Sequence, residues 1–201
     1  MKINDSFIEL FAGTSCYERL KNTQRFYDYV DISLDAFVSE ENIHCPTGCG
    51  SCCQNYNPDL SVSEAEYIAC YLLQENRVDE FHDRVEKAEK YGISHCPMYN
   101  GDCAYHCSIY PARGLVCRLF GSACSKDKNG DVHYPSCKWS DEMAGDIVAS
   151  EYQNPPIGSN FGLELEMINA GELGTEPLYK AVEKAIIKLQ MILNFCNGWA
   201  Q

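Results

Sequence analysis

Cysteines dominate the chemistry that this sequence can support. The chain of 201 residues contains 13 cysteines, and eleven of them fall between Cys45 and Cys137. Clustered thiols are typical of a metal site, a redox site or a disulfide scaffold. Because 13 is an odd number, the thiols cannot all pair within one chain. This favours metal binding over a complete disulfide framework.

The first cysteine cluster occupies residues 45–53 and contains Cys45, Cys49, Cys52 and Cys53. Small residues between these cysteines allow the backbone to turn so that several sulfurs converge. Neighbouring side chains diverge in most backbones, so Cys52 and Cys53 do not easily bind one zinc ion together. We therefore expect one of this pair to bind a metal and the other to serve a second centre or to pack.

A second cluster follows over residues 96–124, and Cys137 closes the cysteine-rich region. Its members are Cys96, Cys103, Cys107, Cys117 and Cys124. A single zinc ion or [4Fe–4S] cluster needs about four thiolates, fewer than the two clusters offer. Two centres, or one centre with free thiols, both remain open. The spacings match neither ferredoxin motif and do not form a zinc ribbon.

Charge and the first residues bear on location and partners. The net charge of −13 disfavours nucleic acid as a partner, because phosphate is repelled. Residues 1–6 lack the apolar segment of a signal peptide, and no apolar run is long enough to cross a membrane. We expect a cytoplasmic protein with reduced thiols and no membrane contact. A disulfide scaffold is the third alternative, and the oligomeric state is open.

Helical patterns flank the cysteine-rich part. Apolar residues at helical spacing run from Tyr27 to Phe37, and Ser61 with Glu64 predicts a capping box at the start of another helix. We expect that helix to break near Asn76 and to end by Gly92. The last helix is predicted to begin with Pro177 as its first helical residue. The isolated cysteines, predicted to pack in the core, are Cys16, Cys70 and Cys196.

These patterns predict a mainly α-helical single domain over residues 1–201. Residues 40–140 form its cysteine-rich metal-binding core, with metal-binding loops between helices, and residues 1–39 and 175–199 are helical flanks. Asn129-Gly130 predicts one small β-hairpin. The alternation in residues 161–167 is compatible with a strand or with a short helix.

The order and spacing of the cysteines resemble those of the YkgJ-type CxxCxxCC family, which is described as a zinc- or iron-chelating domain. The resemblance covers roughly residues 40–140 and includes the segment from Cys107 to Phe120. It departs from the family in the x3 spacing after Cys45, in Arg113-Gly114 where Arg-Pro is usual, and in the additional Cys103 and Cys124. The resemblance implies as metal ligands Cys45, Cys49, Cys52, Cys53, Cys96, Cys107 and Cys117, with Cys137 as an eighth.

A similar cysteine motif occurs in flagellin lysine N-methylases, which are thought to carry an iron–sulfur cluster and to use S-adenosylmethionine. Cys45, Cys49 and Cys52 also have the C-x3-C-x2-C spacing of radical S-adenosylmethionine enzymes, without the surrounding β/α pattern. This similarity implies a protein or peptide substrate. It does not decide whether the chain is an enzyme.

Other polar side chains lie near the cysteines. Arg113 and Arg118 could bind the cofactor by offsetting the negative charge of the thiolates, could bind a substrate carboxylate, or could form surface ion pairs. The aromatic residues, which we expect to shield the site from water, are Tyr99, Tyr105, Tyr110 and Phe120. The histidines next to cysteines, which are either ligands or chance neighbours, are His44, His95 and His106.

Two function classes follow from these residues. The number of thiols favours an iron–sulfur cluster, [4Fe–4S] in type, in a protein that is enzymatic or accessory to protein or peptide modification. The alternative is a zinc-binding structural or interaction module without catalysis, which would use a closed site of four thiolates.

Overall fold

Helices make up most of the computed structural model. It describes residues 2–43, 49–103, 105–135, 137, 152, 154–169, 171–172 and 174–198. Residues 196–198 are described by their backbone only. The predicted mainly α-helical class is confirmed. The α-helices in the described ranges are α1 (Asp5–Ile8), α2 (Ser15–Glu40), α3 (Ser51–Gln54), α4 (Val62–Gln74), α5 (Val78–Lys90), α6 (Leu115–Leu119), α7 (Gly158–Asn169) and α8 (Leu178–Gly198). Two 3-10 helices cover Glu9–Phe11 and Tyr110–Ala112.

The longest helix, α2, is amphipathic as its sequence predicts. Tyr27, Val30, Leu34 and Phe37 are buried on one face, and the opposite face meets solvent. Gly13, at φ +82°, separates this helix from the short helical turns before it.

Helices α4 and α5 begin and end where the sequence predicts. Ser61 and Glu64 form the complete capping box before α4. Asn76, at φ +53°, interrupts the helical conformation between α4 and α5. Gly92, at φ +62°, follows the end of α5. Local signals were sufficient here because caps and left-handed residues act within one turn of the helix.

Two pairs of two-residue antiparallel strands complete the fold. Strands β2 (Ser125–Lys126) and β3 (Val132–His133) form the predicted hairpin around Asn129-Gly130, although its loop spans residues 127–131. Strand β1 (Asp59–Leu60) pairs with β4 (Glu176–Pro177), so Leu60 lies opposite Glu176. Pro177 therefore belongs to a strand, and its predicted place as the first helical residue is wrong. The ambiguous residues 161–167 are helical.

Helix α4 lies at the centre of the core and packs against both α8 and α2. Cys16 and Cys70 are completely buried there, which confirms their predicted core position. The side chain of Cys196 lies outside the described residues. None of the helices in the described ranges is both long and apolar enough to cross a membrane.

One buried carboxylate ties the core helices together. Glu66 on α4 is 1% exposed. It accepts two hydrogen bonds of 2.7 Å from Arg19 on α2 and one of 2.8 Å from Lys188 on α8. These charged partners offset the cost of burying the carboxylate.

Candidate metal centre

Six cysteines from three segments of the chain line one cavity of about 540 Å³. They are Cys49, Cys52, Cys53, Cys96, Cys107 and Cys117. All six are among the predicted metal ligands. The structure thus brings the two cysteine clusters to one place, although more than 40 residues separate them along the chain.

Helix α3 and the residue before Gly50 supply one wall of the cavity. Cys52 and Cys53 are consecutive on α3, and their sulfur atoms are 3.8 Å apart. A hydrogen bond between these thiols lowers the pKa of one member of the pair and raises that of the other, so the two sulfurs share a proton and lose their protons one after the other. The structure places both sulfurs at the same cavity, so the expectation that the pair would diverge is not met.

Gly50 allows this wall to approach the loop opposite. A Cβ atom at this position would lie 2.8 Å from Cε2 of Tyr99 and 2.9 Å from Cβ of His106. These distances are shorter than real Cβ contacts, so only glycine permits the approach without a shift.

The loop over residues 96–108 supplies the second wall. Its ends are held by backbone hydrogen bonds from Asn100 to His106 and from Ser108 to Met98, and an isolated antiparallel bridge joins Tyr99 to Cys107. The backbone N–H of Cys96 donates to the Tyr56 carbonyl at 3.1 Å. These bonds anchor both thiols of the loop, Cys96 and Cys107, at the cavity.

The short helix α6 supplies the third wall and carries Cys117 and Arg118. Its first residue, Leu115, donates its backbone N–H to Oε1 of Glu64 at 2.8 Å. Arg118 donates to both carboxylate oxygens of Asp31 at 2.7 and 2.6 Å. Glu64 was noticed in the sequence only as a helix cap, and no sequence signal pointed to Asp31.

Burial keeps the loop and α6 thiols protonated when no metal is bound. It raises the pKa of Cys96 to about 12, and it also raises the pKa of Cys107 and of Cys117. Negative charge on Cys96 and Cys107 raises the pKa of Cys117 further. The positive charge of Arg113 opposes the rise in pKa at both Cys107 and Cys117. A metal cation would therefore have to displace protons from these thiols.

The two arginines predicted to bind the cofactor both line the cavity. Arg118 is 4% exposed, and it also donates to the backbone carbonyls of Pro111 and Arg113. Arg118 therefore forms an ion pair, as one of the three predicted alternatives has it. The pair with Asp31 is largely buried, whereas the prediction was a surface pair. Arg113 lies 4.0 Å from Asp31 and donates to the Tyr110 carbonyl at 3.0 Å.

Aromatic side chains surround the thiols, as the sequence predicts. Tyr99, Tyr105, Tyr110 and Phe120 all line the cavity. The rings of Tyr105 and Tyr110 stack with centroids 4.1 Å apart, and the Arg113 guanidinium carbon lies 3.9 Å from the Tyr110 centroid. Arg113, Tyr110 and Tyr105 thus form one continuous stack at the edge of the cavity.

Among the described cysteines of the two clusters, Cys103, Cys124 and Cys137 do not line this cavity. Cys45 and His44 are outside the described residues. Cys137 lines a neighbouring cavity of about 550 Å³ together with Cys124. Cys103 donates its thiol to the Asn100 carbonyl at 3.3 Å. The two cavities share the side chains that separate them, those of Tyr56, Val116 and Phe120.

The other two histidines next to cysteines pack against the loop tyrosine. His95 makes an edge contact with the ring of Tyr99, and His106 stacks on it. A ligand role for either imidazole stays a prediction.

The donor set fits the chemistry of a thiolate-bound metal. Sulfur ligands favour zinc and iron–sulfur clusters over magnesium or calcium. Among the described residues, no three side chains of histidine, cysteine, aspartate or glutamate are already arranged to hold a metal ion. The thiols share a cavity, and binding requires them to rotate toward one another. None of the eleven cysteines with described side chains is in a disulfide.

Comparison with known families agrees with this donor set. Residues 44–138 match the model of the CxxCxxCC family, described as "Putative zinc- or iron-chelating domain". The matched segment contains all six cavity cysteines. No curated protein and no solved structure matches the chain.

Proposed function

We propose that the protein binds an iron–sulfur cluster, [4Fe–4S] in type, through the cavity thiols. The match of residues 44–138 to a family described as a zinc- or iron-chelating domain supports metal binding. The observation that supports the cluster is the gathering of six thiols around one cavity of about 540 Å³. A structural zinc site is closed by four ligands at about 2.3 Å and uses neither this many thiols nor this space.

The residues around the thiols have separate tasks in this proposal. Three or four thiolates hold the cluster, and they are drawn from the cavity cysteines and from Cys45, which the family pattern implies as a ligand. Arg113 offsets negative charge beside Cys107 and Cys117. The stacked Tyr105 and Tyr110 exclude water. A bound cluster of this type would supply electron transfer or an open iron position for a ligand.

Metal and sulfide analysis of the anaerobically purified protein tests this proposal. We expect a brown protein with broad visible absorbance, about four irons per chain and matching acid-labile sulfide. A colourless protein with one or two tightly bound zinc ions and no sulfide would contradict the cluster. Replacing Cys107 by serine should lower the iron content, whereas Cys70→Ser, in the core away from the cavity, should not.

Zinc is the second candidate, because the family description names both metals. A zinc module predicts a single site closed by four thiolates and no redox activity. Under that alternative, removal of the metal unfolds the cysteine-rich loops, because binding free energy in such sites is folding free energy.

We also propose that the protein acts in the modification of a protein or peptide. Its proposed location is the cytoplasm, where thiols stay reduced. The exposed side chain of Tyr105 at the cavity would be the first contact for an incoming chain. A pull-down with the cluster-loaded protein and with Tyr105→Ala tests this role. Loss of a captured protein in the variant would support it, and capture by neither form would count against it.

A further inference from the structure

The structure points to Glu64 as the residue that positions Cys117 for metal binding. This inference rests on the proposed metal centre but can fail independently of it. Glu64 is 4% exposed, and a carboxylate buried to this degree requires hydrogen-bond donors. Its donors come from three helices or helix starts, and one of these is the helix that carries a cavity thiol.

The two oxygens of Glu64 serve different elements. Oε2 accepts the backbone N–H of Ser61 at 2.9 Å and its hydroxyl at 2.8 Å, which completes the cap of α4. Oε1 accepts the backbone N–H of Leu115 at 2.8 Å, and Tyr27 donates its hydroxyl to the same atom at 3.4 Å. A single side chain thus joins the start of α4 to the start of α6.

Helix α6 depends on such a tie because it has only five residues. A helix this short is not stable without tertiary contacts. Its N-cap, Gly114, makes no side-chain capping hydrogen bond, so Glu64 supplies the acceptor from another helix. Two residues further along, Cys117 lines the cavity.

Gly114 makes the contact possible. A Cβ atom there would lie 2.7 Å from Cδ2 of Leu60 and 3.1 Å from Oε1 of Glu64. Only a glycine lets the start of α6 approach the carboxylate this closely. The close approach therefore has a use, which is to bring the Leu115 N–H within hydrogen-bond distance of Glu64.

The first test replaces Glu64 by glutamine, which has nearly the same shape. The single amide oxygen of Glu64→Gln can keep the Ser61 N–H as its donor, and the NH₂ group then faces the Leu115 N–H, so the hydrogen bond to the start of α6 is lost. We expect the alkylation rate of Cys117 in the reduced, metal-free chain to rise about tenfold as α6 opens locally. Peptide mass spectrometry measures this rate for each cysteine.

The control variant is Ser61→Ala, which removes the hydroxyl donor of the α4 cap and leaves the Leu115 contact intact. Cys117 should then react at close to the wild-type rate. Cys16 and Cys70, both completely buried in the core, report global unfolding in the same experiment. Equal acceleration of Cys117 in both variants would show that Glu64 acts only through the cap, and it would overturn the inference.

A second pair of variants covers the case in which Glu64→Gln does not fold. Leu115→Pro removes only the N–H donor from the backbone at the first position of α6, where proline is tolerated and where Gly114 has compatible angles. Leu115→Ala shortens the same side chain and keeps the N–H. Faster alkylation of Cys117 in the proline variant than in the alanine variant is the expected result, and equal rates would contradict the inference.

Metal affinity separates this inference from the proposed function. Chelator competition with Zn²⁺ as the probe should show affinity about 10–100-fold weaker in Glu64→Gln than in the wild type, the usual effect of losing a residue that orients a ligand. Unchanged affinity in the variant would overturn the role of Glu64 while the metal site stands. A wild-type chain that binds neither zinc nor iron would overturn the proposed function instead, and the alkylation result would still report on Cys117.

Discussion

The two arginines beside the thiols differ in what their guanidinium groups already bind. Arg118 donates to Asp31 and to two backbone carbonyls, and its guanidinium carbon lies 4.0 Å from the centroid of Tyr27. Arg113 stacks on Tyr110, and its positive charge offsets part of the rise in pKa that burial causes at Cys107 and Cys117. Arg118 therefore holds α6 in place, and we propose that Arg113 is the cation that would act on a bound metal centre.

Replacing Arg113 tests its electrostatic role. Arg113→Gln should weaken metal affinity by up to about tenfold, the factor that corresponds to 1.4 kcal/mol, because the thiolates lose a nearby positive charge. Arg113→Lys should restore most of this affinity. Chelator competition at constant ionic strength measures both, and equally weak binding by the two variants would indicate that stacking matters instead of charge.

Replacing Arg118 tests its structural role. Arg118→Gln should lower the free energy of unfolding of the metal-free chain by about 2–4 kcal/mol, because Asp31 then lacks its main partner. The value is below that of a fully enclosed pair, since the Asp31 side chain is 30% exposed. Urea denaturation measures the change, and a loss below about 0.5 kcal/mol, typical of surface positions, would contradict the assignment.

At the scale of elements, the cavity depends on close approaches between short segments. Helix α3, the loop over residues 96–108 and helix α6 are each too short to be stable alone. They are held by Gly50 against Tyr99 and by Glu64 against the start of α6. Backbone packing, more than the thiols themselves, therefore brings the two cysteine clusters together in the metal-free chain.

Gly50→Ala tests this packing. The added methyl group must displace the side chains of Tyr99 and His106, so the wall carrying Cys52 and Cys53 should move away from the loop. We expect metal affinity to fall by about tenfold or more. Gly101→Ala, in the loop over residues 96–108, is the matched control. A Cβ atom at Gly101 would lie 3.8 Å from the Tyr99 hydroxyl, which is an ordinary contact. Similar affinities in the two variants would contradict the importance of the approach.

Some elements could be read from the sequence because their signals are local. The capping box at Ser61, the break at Asn76 and the apolar face of α2 each depend on residues within a few turns. Pro177 was assigned wrongly because its strand is created by pairing with Asp59, which lies far away along the chain. A proline before a helical pattern indicates a helix start and does not reveal that a distant strand pairs with it.

The candidate site could be predicted in composition but not in arrangement. The sequence and the family resemblance identified the six cysteines that share the cavity. Neither could place Cys137 beside Cys124 in the neighbouring cavity, since this depends on how the hairpin packs. The contributions of Asp31 and Glu64 were also out of reach, because they come from helices outside the cysteine clusters.

At the scale of the whole molecule, the buried ion cluster around Glu66 joins three helices. Burial alone would raise the pKa of Glu66, but hydrogen bonds and charges from Arg19 and Lys188 outweigh it, and the pKa is lowered. The thiol of Cys16 also donates to this carboxylate at 3.4 Å. The cluster therefore stabilises the fold when Glu66 is ionised.

The stabilisation by Glu66 should depend on pH. It is fully present above the unfolded-state pKa of about 4.3 and is lost as the pH falls through the lowered folded-state value. Glu66→Gln should lower the free energy of unfolding by about 3 kcal/mol at pH 7. Urea denaturation at neutral pH and near pH 3 should show a smaller difference from the wild type in acid. A difference that does not change with pH would contradict this assignment.

The central claim is that the thiols of one cavity, and not cysteines in general, hold the metal. Alkylation of each cysteine, compared between the metal-loaded and the metal-stripped chain by peptide mass spectrometry, tests this most directly. We predict metal-dependent protection of about four of the cavity thiols, with Cys107 and Cys117 among them. Cys103, Cys124 and Cys137 should react equally in both forms. Protection confined to these three cysteines, or no protection at all, would contradict the account.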